Sequence, residues 1–184
     1  LAVIRIFFNK IFPITIMAIR TILTFPDPVL RQKAAKVTSF DDELKQLAAD
    51  MAETMYNAPG VGLAANQIGV LLQIVVVDIS EMEGRKFITL VNPVLSEGEG
   101  SMVDEEGCLS VIEYTSPVKR FRKIKVSARD LDGNPLEFTA EDRFARIIQH
   151  EVDHLHGKLF IDRISSLKRT LYKKKLRKIL QAEA

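Results

Sequence analysis

The chain has 184 residues, 47% hydrophobic and 27% charged, a size and balance that fit one self-stable domain and exclude a disordered, collagen-like or coiled-coil chain. Its single cysteine, Cys108, excludes an intrachain disulfide and points to a reducing compartment, the cytoplasm. The net charge of +2 is unevenly spread: of 26 basic residues eight (Arg163, Lys168, Arg169, Lys173, Lys174, Lys175, Arg177 and Lys178) fall within 163–178, leaving 18 against 24 acidic residues elsewhere.

Residues 1–16, LAVIRIFFNKIFPITI, are apolar, but Lys10 and Pro13 interrupt them well short of the roughly 20 continuous apolar residues that a membrane span needs. They read as an extension outside the functional unit, with one domain running over 17–184 and no membrane association. Pro26 and Pro28 mark a turn. In SFDDELKQLAADMAETMYNAPG, Ser39 or Asp41 can cap a helix along which Leu44, Leu47, Ala48, Met51, Met55 and Tyr56 recur at helical spacing until Pro59 and Gly60 stop it. The short β-branched runs VLLQIVVVDIS and FITLVNPVL read as strands, residues 96–118 as polar and irregular, and KIKVSARDLDGNPLEFTA as a hairpin turning at Asp132 and Gly133.

A second helix begins near Thr139 to Glu141, where a hydroxyl or carboxylate is available as a cap, and runs to a stop at Gly157. A third, basic helix covers about 165–180 with Leu167, Leu171, Leu176 and Leu180 as its apolar positions. The order of helix, strands, helix, helix predicts an α+β fold and argues against alternating βαβ units.

The second helix carries QHEVDH. His150 and His154, four residues apart, lie about 40° from one another around a helix and can reach one cation, with Glu151 beside them near any bound water. All three histidines of the chain fall within seven residues, which argues against a chance surface pair. His156 points about 120° away from His150 and is assigned no metal role. A third ligand decides the chemistry. The HExxHxxGxxH form fails because Phe160 stands where its last histidine would be. Cys108, in EEGCLS, is the attractive candidate, since its acidic and glycine neighbours make a buried inert thiol a poor alternative and a Cys-His-His set leaves a fourth position open.

Two rivals remain: a zinc peptidase completed by Asp162 or Glu183, and an RNA-binding module with a structural metal. GVGLAANQIG, at 60–69, is no phosphate loop, because no Gly-Lys-Ser/Thr follows. Its glycines permit close backbone approach, and Gln67 offers an amide donor for an oxyanion hole.

In order and wording, GVGLAANQ, EGCLS and QHEVDH resemble the three motifs of the bacterial peptide deformylases, and the likeness extends through FPDPVLR, LVNP and HLHGKLFIDRI over most of 17–167. The sequence departs at Ile112, where a proline is common, and at Asp142-Arg143, which replace a small or apolar pair. The resemblance implies mixed or antiparallel sheets packed around a central metal-binding helix, with a C-terminal helix. It also implies hydrolysis of the N-formyl group from the initiator methionine of nascent polypeptides, with Cys108, His150 and His154 as metal ligands and Glu151 as proton carrier. Gln67 and the backbone N–H of Leu109 would meet the oxyanion. Gly60, Val61 and Gly62 would pair with the extended peptide, and Ile147 would wall the methionine pocket. The implied cofactor is one iron(II), although zinc, nickel or cobalt suits the same donors. The basic helix is similar in placement and charge to the helix by which bacterial deformylases dock on the ribosome, with no role implied for DNA.

Overall fold

The computed structural model describes residues 18–80 and 86–182, so the expected extension at 1–16 lies outside the described residues. Three α-helices stand among them, α1 (Asp42–Asn57), α2 (Asp142–Leu155) and α3 (Ser166–Ala182). The strands are β1 (Gly62–Ala64), β2 (Ile74–Asp78), β3 (Phe87–Glu99), β4 (Met102–Cys108), β5 (Val111–Arg120), β6 (Lys123–Arg129) and β7 (Pro135–Glu141). All pairings between these strands are antiparallel: one five-stranded sheet in the order β1-β2-β3-β6-β7 and a separate two-stranded ribbon, β4-β5. This is the expected α+β fold.

α1 forms where its spacing predicts. Asp41 rather than Ser39 caps it, accepting the Leu44 N–H at 3.0 Å, while the Ser39 hydroxyl donates to the Asp41 carboxylate at 2.6 Å. The continuous apolar run of β2 follows from burial on both faces of the sheet. Ile74 and Val76 pack with Leu44, Met51 and Met55 of α1; Val75 and Val77 pack with Ile148, Val152 and Leu155 of α2. α2 is thereby the central helix, and nothing from Ile148 to Leu155 is more than slightly exposed. The hairpin turn lies as expected: Asp130 accepts the N–H groups of Asp132 and Asn134, and Gly133 adopts φ +84°.

Three local expectations are corrected. Residues 96–118 are not irregular but form most of β4 and β5. Within β4 only Glu106 is buried and Val103 is exposed, so no apolar alternation announces the strand, and it is specified by pairing with β5. No side chain caps α2: the Glu141 carboxylate pairs with Lys123 at 3.1 Å, and the chain enters the helix through Asp142 at φ +49°, whose N–H donates to the Arg122 carbonyl at 2.7 Å. On α3, Leu167 and Leu171 are 68% and 56% exposed; of the expected leucines Leu176 is buried, and Tyr172 rather than the other leucines completes the buried face. Gly157 does end α2 at φ +69°, a site where a Cβ would also run into the Arg31 carbonyl.

The segment before α1 is tied down by Asp50, a buried acid on that helix. It accepts from the Ala18 N–H at 2.9 Å, the Gln46 amide at 2.8 Å and the Arg20 guanidinium at 2.7 Å. Farther on, Leu23 and Phe25 donate to the carbonyls of Gln67 and Ser110, so the same segment braces the neighbourhood of Cys108. Burial alone would raise the Asp50 carboxyl, but these donors outweigh it and hold its pKa below the ordinary aspartate value. Such a group contributes stability above its unfolded pKa, which is lost as pH falls through the folded one. Asp50→Ala should lower stability by about 2–3 kcal/mol in urea unfolding at neutral pH and flatten the decline on acidification. Wild-type stability in that variant would show the tether to be inconsequential.

Candidate metal centre

β4 ends at Cys108 and α2 carries both imidazoles, so the centre lies where the ribbon meets the central helix. The Cys108 Sγ is 3.3 Å from His154 Nε2, and one ligand atom from each of Cys108, His150 and His154 falls within 4.8 Å of the others. Tetrahedral ligands about 2.0–2.3 Å from a cation stand roughly 3.5 Å apart, so these donors fit a single small ion. His156 is exposed and outside the cluster, as expected. Asp162, the rival third ligand, is engaged by Arg31 and the Leu159 N–H, while Glu183 lies outside the described residues.

A buried charge network orients the ligands. His150 Nδ1 lies 3.0 Å from Glu106 Oε2, which leaves Nε2 for the centre. Both Glu106 oxygens accept from Arg120, at 2.8 and 2.9 Å, and Arg120 continues to Asp153 at 2.5 Å. Asp153, in the next turn of α2, is held in turn by both nitrogens of a fork from Arg163 at 2.5 and 2.6 Å. Burial would push the Glu106 carboxyl up, but Arg120 and His150 outweigh it and hold its pKa at about 2. Burial also opposes charge on His150, but hydrogen bonds to Cys108 and Glu106 hold its pKa well above the ordinary histidine value. His154, buried and beside His150, is pushed well below that value.

Glu151 is the contrasting carboxylate. Burial pushes its pKa up to about 7, and its Oε2 has no hydrogen-bond partner among the described residues. A proton acceptor poised near neutrality is what general base catalysis at pH 7 requires. Gly62 makes room for it: a Cβ there would stand 2.5 Å from Glu151 Oε1. A Cβ at Gly60 would meet Leu109 Cδ1 at 2.8 Å, so the close approach expected of these glycines has named partners. The Gln67 amide is fixed at both ends. Its Oε1 accepts the Ala64 N–H at 2.8 Å, and its Nε2 donates to Ser110 Oγ at 3.1 Å and faces Cys108 Sγ at 3.6 Å.

A cavity of about 490 Å³ opens over the centre, and its lining includes Gly60, Val61, Gly62, Gln67, Cys108, Leu109, Ile147, His150 and Glu151. Of the ligands, catalytic residues and substrate-binding residues expected from sequence, only His154 is not part of its lining. Sequence reasoning missed Glu106, Arg120 and Asp153, and also the rim residues Glu113, Tyr114 and Arg146. Arg146 bonds the Glu105 carbonyl at 2.9 Å and the Asp104 carboxylate at 2.8 Å, fastening β4 to α2. Arg143, at one of the departures from the family pattern, lines both this cavity and a neighbouring one of about 200 Å³.

A sulfur and two imidazoles under an open cleft, with a buried carboxyl beside them, are a donor set that could hold one metal ion for hydrolytic chemistry. The family model for polypeptide deformylase matches residues 19–170. A peptide deformylase of Desulfotalea psychrophila is 56% identical over 164 residues, covering 88% of this chain and 97% of that one. The crystal structure of a peptide deformylase from Legionella pneumophila superposes with a TM-score of 0.84 at 46% identity, over 90% of this chain and 98% of that one. One from Synechococcus elongatus, in complex with actinonin, gives 0.80 at 39% identity over 85% and 86%. The chain belongs to the polypeptide deformylase family, hydrolases that remove the formyl group from N-formyl-methionine peptides.

The Gly62–Glu151 contact yields a sharp expectation. Gly62→Ala must displace the carboxylate, and a misplacement of about 1 Å at a reacting group costs about 10²-fold. Formate release from a formyl-methionine peptide should fall by about that factor with metal content unchanged; undiminished turnover would remove Glu151 from the chemistry.

Proposed function

We propose that the chain deformylates nascent polypeptides at a centre in which Cys108, His150 and His154 hold one iron(II), and in which Glu151 moves the proton. The observation that carries this reading is the buried Glu151 carboxyl, whose Oε2 has no hydrogen-bond partner among the described residues, beside three convergent ligand atoms under an open cavity. When bound, the cation supplies Lewis acidity, which makes water a nucleophile near neutral pH. Glu151 takes the proton of the attacking water and returns it to the amine as the C–N bond breaks, releasing formate. The Gln67 amide and the Leu109 N–H meet the oxyanion that develops on the formyl oxygen, and one such donor commonly accounts for about 10²–10³ in rate. Gly60, Val61 and Gly62 present backbone to an extended peptide, which recognises any sequence, and Ile147 contributes to the apolar wall for the methionine side chain.

Thiolate with imidazole also suits zinc, nickel or cobalt. Metal analysis and formate release from formyl-Met-Ala, both without oxygen, test the reading. The iron form should be active and decay in air, whereas nickel or cobalt forms should persist. Glu151→Gln should keep the metal and lose about 10²–10⁴ in kcat, and Cys108→Ser should lose it. Retention of metal by the serine variant would favour a different ligand set, and an iron form stable in air would argue against iron.

Residues 17–184 form the catalytic domain in this reading, and 1–16 stand outside it. The site of action is the cytoplasm, where formylated chains emerge; among the described residues no helix is long and apolar enough to cross a membrane. α3 is the ribosome-docking element, since a dense positive face attracts ribosomal RNA. Because Tyr172 and Leu176 are buried, deleting the helix would strip core, and the informative variant instead reverses exposed charges. Lys173, Lys174, Arg177 and Lys178 changed together to Glu should abolish salt-sensitive ribosome binding in sedimentation while hydrolysis of short formyl peptides continues. Unchanged binding rejects the assignment.

A further inference from the structure

The wall of the cleft opposite α2 is the start of β5, where Val111, Glu113, Tyr114 and Thr115 line the cavity. Glu113 sits there at φ +48°, a left-handed conformation that is costly for a residue with a side chain and persists only where its surroundings hold it. What holds it comes from α3. The Lys175 ammonium donates to the Glu113 carbonyl at 2.9 Å and lies 3.3 Å from the Glu113 carboxylate, so one lysine grips both main chain and side chain of the strained residue. The next residue is fixed by the same helix: the Tyr114 ring stacks on Tyr172 with centroids 4.6 Å apart. Lys168 reaches the buried Ser116 at 3.4 Å. Lys168, Tyr172, Lys175 and Leu176 share one face of α3, so a helix that reads from its charge as a purely external device commits that face to the cleft wall.

We propose that Lys175 is a positioning residue for substrate binding: by holding Glu113 in its left-handed conformation, it sets the shape of the cleft wall against which the formylated peptide lies. The inference rests on reading this cavity as the substrate cleft, and it adds a role for the C-terminal helix inside the enzyme. The expected kinetic signature is in KM, because Lys175 touches no reacting atom and a displaced wall weakens peptide binding without altering the metal ligands or Glu151.

Lys175→Met is compared with Lys175→Arg and with Lys33→Met, which removes the same charge from an exposed position outside the cavity lining. For formyl-Met-Ala-Ser, Lys175→Met should raise KM about three- to ten-fold with kcat within about two-fold, Lys175→Arg should recover most of the loss, and Lys33→Met should match wild type. Amide hydrogen exchange supplies a readout independent of turnover: the amides of 112–115 should exchange faster in Lys175→Met and not in Lys33→Met. Equal KM values for the two methionine variants, or a lowered thermal midpoint with KM and exchange at 112–115 unchanged, would overturn the proposal. A wild-type protein that releases no formate would refute the reading of the cleft, while the exchange comparison would still decide whether Lys175 holds the wall.

Discussion

The geometry of the centre depends on a guanidinium buried between two carboxylates. Arg120 is almost fully enclosed, and it binds Glu106, which fixes His150, and Asp153, which sits one residue before His154. Taking three charges out of water is expensive, and the arrangement is tolerable because each oxygen and nitrogen in it has a partner of opposite sign at hydrogen-bonding distance. Such a lock is stiff. It joins β4, β5 and α2 at one point, so the ribbon that carries the sulfur cannot drift relative to the helix that carries the rings, and the ligand atoms are already assembled for a cation.

Two buried acids on neighbouring elements are driven in opposite directions by the same burial. Glu106 is compensated by hydrogen bonds from Arg120 and stays ionised, whereas at Glu151 burial outweighs the pull of the neighbouring His150 and Arg120 and pushes the carboxyl to about 7. One carboxylate is therefore suited to structure and the other to proton transfer, and the distinction arises from neighbours alone. The glycine at 62 completes it by leaving the uncompensated acid room beside the cleft.

The cores supply the rigid frame. β2 is sandwiched between α1 and α2, so neither helix can tilt without opening apolar surface on a strand that is covered on both sides. A third core, built around Phe160, Tyr172 and the start of β5, seats the C-terminal helix against the cleft wall. The rings of His150, Phe160, Tyr114 and Tyr172 follow one another at centroid distances of 6.2, 6.1 and 4.6 Å, which makes that core continuous with the metal centre.

Much of this is written locally. The spacing of His150 and His154, the periodicity of α1, the turn at Asp130–Asn134 and the stop at Gly157 are each set within a few residues. For that reason the sequence alone determined α1, the central helix, the hairpin and the α+β class, and put forward Cys108, His150 and His154 as candidate ligands. What it could not contain are matters decided between distant segments. β4 has no alternation to read because its partner strand specifies it, and Glu106 gives no sign of its role because Arg120 lies 14 residues away and Asp153 another 33 beyond. On α3 the leucines outnumber the tyrosine, yet Tyr172 is buried and Leu167 and Leu171 are not, since the aromatic pocket beside Tyr114 selects which side of the helix turns inward. Local periodicity fixes what an element is; only packing across the chain fixes which of its faces is used, and so which charges become structural and which are left for chemistry.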